Sequence, residues 1–165
     1  MVEVGKHHDD VVKALKQLAE SYEHYDKDRI FAYLDKREPI KIPFRTYTVN
    51  YYPDLWAETR KLKRIDVYEV WHTETEGEAI ADIYLMGKVQ NLLNICIVCV
   101  ETRRGGWTKE YAENIIQTVL EDLEAKYPSI KSVRTLGHIY IAGIGMEELK
   151  DKKKLLKSLS QQLKF

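Results

Sequence analysis

The stretch Leu92–Val100, LLNICIVCV, constrains this chain more than any other. It is apolar except at Asn94 and shows no polar–apolar alternation. A run of this length and character is a strand buried on both faces. Such a strand needs covering layers on each side, and those layers must be helices. The flanking sequence offers them. Thr108–Tyr127 places Tyr111, Ile115, Ile116, Val119, Leu120 and Leu123 on one face before Pro128 closes the helix. Residues 146–165 predict a final amphipathic helix with Leu149, Leu155, Leu156, Leu159 and Leu163 on its apolar side and the run KDKKK on the other. A chain of 165 residues can bury such a core as one domain, here taken as 1–165, and has no room for two full ones.

The remaining elements follow from spacing. Val11, Val12, Leu15, Leu18, Ala19 and Tyr22 predict a helix within Asp9–Leu34, capped by Asp9 or Asp10, with a break open near His24–Asp28. Aromatic and β-branched residues predict a strand over Ile42–Val49. A short strand in YYPDLWAET follows, interrupted by Pro53, then the polar turn RKLKR and the strand Ile65–Trp71. Thr75 and Glu78 form a capping box, and acids cluster ahead of Ile80, Ile83 and Tyr84, so a helix is expected there. A further strand, HIYIAG, lies within 132–142. The expected order is α-β-β-β-α-β-α-β-α, an α/β three-layer α/β/α sandwich around a central mixed sheet.

Charge limits the function. Lys and Arg total 26 and Asp and Glu total 26, so bulk positive charge does not drive this protein onto nucleic acid. The cations are unevenly placed, however, in the Lys61–Arg64 turn, at Arg103-Arg104 and along the last helix. The high, evenly signed charge points to a thermophile. No apolar run approaches the ~20 residues of a membrane helix, and MVEVGKHHDD lacks the apolar core of a signal peptide. A cytoplasmic protein is expected, without membrane contact. Cys96 and Cys99 have C-x-x-C spacing but lie mid-strand, where residues three apart face opposite ways, so they read as core. His7-His8-Asp9-Asp10 reads as a frayed terminus with a cap, or more remotely as a metal ligand group.

The sharpest inconsistency is Glu69. Along Ile65–Trp71 it shares a face with Ile65, Val67 and Trp71. A carboxylate there is costly unless a partner or a cation meets it, and such breaks mark functional sites. Asp54, after Pro53, sits on the strand that the RKLKR turn lays alongside. Two carboxylates on adjacent antiparallel strands can converge on one divalent ion, as Mg²⁺ prefers. The competing reading has Glu69 paired with Arg45 or Lys63 across the meander. A second register, Asp82 with Glu101-Thr102-Arg103, requires residues 79–89 to be a strand.

Pro53-Asp54 followed by Glu69-Val70-Trp71, in this order of elements, resembles the PD-(D/E)XK nuclease superfamily, which includes restriction endonucleases and archaeal junction resolvases. The resemblance covers about 9–100 as topology. It implies a nuclease-like protein hydrolysing phosphodiester bonds in DNA, with Mg²⁺ or Mn²⁺ held by Asp54 and Glu69. It also implies a helix-one glutamate, Glu20 or Glu23, and a lysine where this chain has Trp71. Lys61, Lys63, Arg45 or His72 are the candidate substitutes for that lysine, Lys63 foremost. Lys61, Arg103, Arg104 and Trp107 are candidate DNA contacts, Trp107 by base stacking. The alternative implied by the missing lysine is an inactive nuclease fold that binds nucleic acid or protein, as a homodimer.

Overall fold

The computed structural model describes residues 2–126 and 138–165. Among these, five helices and eight strands run in the order α1 (Val2–Ser21), β1 (Tyr25–Ala32), β2 (Ile40–Pro43), β3 (Thr48–Tyr51), β4 (Leu55–Thr59), β5 (Ile65–Trp71), α2 (Glu76–Gly87), β6 (Leu92–Thr102), β7 (Gly105–Gly106), α3 (Lys109–Lys126), β8 (His138–Ile144), α4 (Met146–Lys150) and α5 (Lys152–Leu163). The fold is mixed α/β around a mixed sheet. β1, β4 and β5 form an antiparallel meander. β6 lies parallel to β5 on one edge and to β8 on the other. The hairpin β2–β3 forms a separate two-stranded sheet.

β6 behaves as its composition demands. Cys96, Val98 and Val100 enter a core shared with Val11, Val12 and Leu15 of α1 and Leu155 and Leu159 of α5. Ile95, Ile97 and Cys99 enter a second core with Ala79, Ile83 and Met86 of α2 and Ala112 and Ile116 of α3. Cys96 and Cys99 are free and buried, one in each core. The α2 capping box is present as expected, with Thr75 accepting from the Glu78 backbone.

Several boundaries differ from the sequence reading. The expected helix over Asp9–Leu34 ends at Ser21, and its second half is β1. β1 is an edge strand, so the charged run Asp26–Arg29 stays in water while Ile30, Phe31 and Ala32 pair with Ala57, Trp56 and Leu55. This edge position hid the strand's alternation. Asp9 and Asp10 lie inside α1 and do not cap it. The strand expected over Ile42–Val49 is a hairpin, with Arg45 exposed in its loop. The observed order therefore departs from the expected α-β-β-β-α-β-α-β-α. The last helix is broken at Asp151, whose extended backbone ends α4 while its side chain caps α5 through the Lys153 and Lys154 backbone N–H groups. Tyr127 and residues 132–137 of the expected elements lie outside the described residues.

Gly106 requires its identity. Its φ is 126°, and a Cβ there would collide with the Val100 carbonyl oxygen. That close approach lets the β6–β7 hairpin turn back at Arg103-Arg104 and carry Trp107 under the sheet, where Trp107 N–H donates to Val100.

Leu15 is fully buried between α1 and the sheet. Leu15→Ala is expected to lower stability by about 2–5 kcal/mol, measured by urea unfolding, whereas a loss under about 1 kcal/mol would mean α1 is not packed there.

Candidate active site

Asp54 and Glu69 meet at the end of the β4–β5 pair remote from its connecting turn. The register pairs Leu55 with Tyr68, which puts Asp54 opposite Glu69. Each carboxylate grips the other strand's backbone. The Asp54 N–H donates to Glu69 Oε1 at 2.8 Å, and the Val70 N–H donates to Asp54 Oδ2 at 2.8 Å. The Asp54 carbonyl accepts from the Tyr33 N–H at 3.1 Å, which fixes the same residue to β1. Three strands thus hold one aspartate.

Two residues that the motif did not include join this pair. His8 Nε2 of α1 lies 3.2 Å from Asp54 Oδ2. Its Nδ1 faces the Tyr33 hydroxyl at 3.3 Å, and Tyr33 in turn donates to Asp9. Asp82 of α2 receives the Trp71 indole N–H at 3.0 Å and interacts with the Glu69 carboxyl. The Tyr51 ring is buried against these acids.

The electrostatics follow from burial. Glu69 is 6 % exposed. Its carboxyl is pushed well above the ordinary glutamate range, first by burial and then by the charges of Asp54 and Asp82. Burial also raises the Asp82 and Glu74 carboxyls. Burial works against charge on His8, yet the hydrogen bond and charge of Asp54 outweigh it and raise the imidazole to about 9. His8 is therefore a cation at neutral pH, with both ring nitrogens donating.

The other sequence candidates fall into two groups. Lys61 and Lys63 are exposed in the β4–β5 turn, at the opposite end of the strands from Glu69. The strand from Ile65 to Glu69 alone spans ~13 Å, and both lysines lie beyond it in the turn. Lys63 cannot take the lysine role from there, and Lys61 is no neighbour of the site. Glu20 and Glu23 are exposed near the same far end, so neither of these candidates reaches Asp54; His8 approaches it instead. Arg45 is on the separate hairpin. His72 is buried with its ring 5.9 Å from His7. Arg103 and Arg104 are exposed at the tip of the β6–β7 hairpin, and Arg104 lines a 420 Å³ cleft with His72, Glu74 and Trp107. Trp107 is not a stacking platform. It is 3 % exposed, packs 4.9 Å from Trp71 and donates its indole N–H to the Glu74 carbonyl. The register built on Asp82 as a strand residue fails because α2 is a helix, yet Asp82 reaches the site from that helix. The sequence reading named His8 and Asp82 in other settings but placed neither beside Asp54 and Glu69, because that connection is tertiary.

Asp54, Glu69 and Asp82 offer hard oxygen donors, the set that suits Mg²⁺ or Mn²⁺. Among the described residues, no group of three or more His, Cys, Asp and Glu side chains is arranged as a ready metal cage. A cation here would take two carboxylates and fill its other positions from water and substrate. The crowding that raises the Glu69 carboxyl is what such a cation relieves. Comparison with family models, curated proteins and solved structures finds no match to this chain.

Ionised Glu69 is destabilising in the fold, because its folded pKa lies above the ordinary value. Stability is therefore lost as pH rises through the carboxylate range. Glu69→Gln keeps the carbonyl acceptor for the Asp54 N–H and removes that charge. In metal-free buffer its melting temperature is expected to exceed that of the wild type at about pH 8, with the gap closing near pH 4.5. The His8–Asp54 pair loses stability in the same direction but in a higher window: its contribution is complete below the unfolded histidine value of 6.5 and is lost as pH passes about 9. His8→Ala should therefore cost more stability at about pH 6 than at about pH 10 in thermal melts.

Proposed function

We propose that this protein is a divalent-cation-dependent, nuclease-like protein that hydrolyses phosphodiester bonds in DNA. The observation that carries the reading is the interlocked Asp54–Glu69 pair on adjacent strands, with Asp82 beside it and His8 bonded to Asp54. Asp54 and Glu69 would hold Mg²⁺ or Mn²⁺, which supplies Lewis acidity and an activated water. His8 keeps a proton at Nε2 at neutral pH, so it serves as a donor and a positive charge, not as a base. It stands in for the lysine that Trp71 replaces. Arg104, on the wall of the 420 Å³ cleft, would meet a phosphate of the bound strand. On this reading the sheet is the middle layer of an α/β/α sandwich, and 1–165 acts as one domain in the cytoplasm.

A second reading is favoured by Trp71. Its indole is fully buried, bonded to Asp82 and packed on Trp107, so the lysine position is committed to the core. A protein of that kind binds DNA, or a second copy of itself, without cutting. No helix among the described residues is long and apolar enough to cross a membrane.

Plasmid cleavage with Mg²⁺ or Mn²⁺ tests both. The nuclease reading expects nicking by the wild type and a loss of about 10²-fold or more in Glu69→Ala and Asp54→Ala. His8→Phe should lower the rate without abolishing metal binding followed by Mn²⁺ relaxation. Cleavage unchanged in Glu69→Ala would reject this site. Absence of cleavage with DNA binding retained would establish the second reading.

A further inference from the structure

β5 carries another buried acid, on the opposite face and toward the opposite end from Glu69. Asp66 is 4 % exposed. Its Oδ2 accepts from the Tyr25 hydroxyl, which also contacts the Tyr68 hydroxyl. Its Oδ1 is buried and has no hydrogen-bond partner of full geometry, while the Asn94 side chain and backbone approach the same carboxyl. A carboxylate oxygen buried without a donor is costly, and burial pushes the Asp66 carboxyl upward.

Asp66 nevertheless does not sit in a closed core. Asp66 lines two cavities that share Tyr22 and Asn94. The inner recess, 120 Å³, is walled by aromatic rings, among them Tyr25, Tyr68, Tyr140 and Phe165. Tyr68 and Phe165 are stacked at 5.8 Å, and Phe165 meets Tyr22 edge-on at 5.7 Å. The outer cavity, 980 Å³, opens toward the β4–β5 turn and is rimmed by Arg60, Lys61 and Arg64, with Glu23 and His24 on the wall after α1. Arg60 is anchored by its Nε to the Tyr25 carbonyl at 3.0 Å, leaving its terminal nitrogens toward the cavity rim. Among the described residues, Arg60, Lys61 and Arg64 form no ion pair.

The two ends ask for different chemistry. The inner end wants a flat group that donates one N–H to Asp66 and lies between aromatic rings, with the Asn94 amide beside it. The outer end wants an anion held by Arg60, Lys61 and Arg64. We propose that this pair of cavities is a binding site for a nucleoside 5′-phosphate whose base carries an exocyclic amino group, the amino group donating to Asp66 and the phosphate lying against Arg60, Lys61 and Arg64. An amino group on adenine, guanine or cytosine would give the Asp66 carboxylate a further donor, whereas the carbonyl of uracil or thymine would face it with a second acceptor. The site lies on the other sheet face from Asp54 and Glu69, and the proposal does not rest on nuclease activity.

Calorimetric titration of the full chain with adenosine, cytidine, uridine and thymidine 5′-monophosphates tests it. Adenosine and cytidine monophosphates are expected to bind at least about tenfold more tightly than the uridine and thymidine compounds, the worth of one charge-assisted hydrogen bond against an unpaired acceptor. Asp66→Asn should erase that preference. Lys61→Ala combined with Arg64→Ala, both exposed and outside the core, should weaken all four by about tenfold or more. Circular dichroism checks the folding of Asp66→Asn; if it does not fold, the base preference of the wild type and the double variant decide the matter. A 5′-phosphorylated oligonucleotide titrated in parallel separates the sources: tighter binding than the mononucleotide assigns a strand end, weaker binding a free nucleotide. Equal affinity for cytidine and uridine monophosphates, no binding at about 1 mM, or affinity unchanged in the double variant overturns the proposal.

Discussion

β6 is the element on which the rest depends. It is paired on both edges and buried on both faces. An apolar strand in that position aligns β5 and β8 parallel to itself, so the carboxyl ends of three strands finish at one side of the sheet. The connection after β5 must then enter α2 at that side, and α2 brings Asp82 back over the sheet. The Asp54–Glu69 pair lies toward this same side because β4 is antiparallel to β5 and begins where β5 finishes. A cleft at the carboxyl ends of parallel strands is where open α/β sheets place ligands, and here it follows from one strand's composition.

Glu69 could not occupy its place in an otherwise apolar layer without the surrounding polar groups. The Asp54 N–H satisfies one oxygen, Asp82 meets the carboxyl, and His8 offsets the charge of Asp54. The arrangement is nonetheless unbalanced. Three carboxyls face one imidazolium, and the raised Glu69 carboxyl records the excess. A structural network would be expected to close on itself with an equal number of cations. An excess of acid held by backbone hydrogen bonds is what favours the proposed cation-dependent reading over a purely structural one.

Some of this was legible in the sequence. LLNICIVCV announced a strand covered on both faces, and the Thr75–Glu78 box announced α2, because both signals are local. Glu69 stood out because strand alternation assigns it to an apolar face whatever the partners are. Asp54 could be placed opposite it because a five-residue turn fixes the register. The rest depended on tertiary position. β1 reads as helix until its edge location excuses Asp26–Arg29. His8 sits in a segment that resembles a terminus, and only the packing of α1 across β4 brings it to Asp54. Trp107 looks like an exposed loop aromatic until the backbone approach at Gly106 tucks it beneath Trp71. No spacing rule carries that information, since each case turns on which surfaces meet.

On the proposed nuclease-like reading Trp71 stands where a lysine is expected, and its place is best understood together with His8 and Asp82. An ammonium projecting from β5 would have to share the apolar layer with Trp107, Ile83 and Ile97, where a compact, strongly hydrated charge is poorly accommodated. Trp71 fills that volume and spends its single polar atom on Asp82, drawing the α2 carboxylate toward Glu69. The positive charge arrives instead from α1, on an imidazole whose ring can pack against Tyr33 while both nitrogens remain bonded. On that reading a cation carried by a helix and not by a strand leaves the core on that face aromatic. The geometry also changes what the cation can do. A lysine ammonium presents three donors that swing on a flexible stem, whereas His8 is held at both nitrogens and can release Asp54 only by losing its proton or its place. The affinity of this site for any cation should accordingly be governed by the protonation of His8 and Glu69 together, not by Asp54 alone.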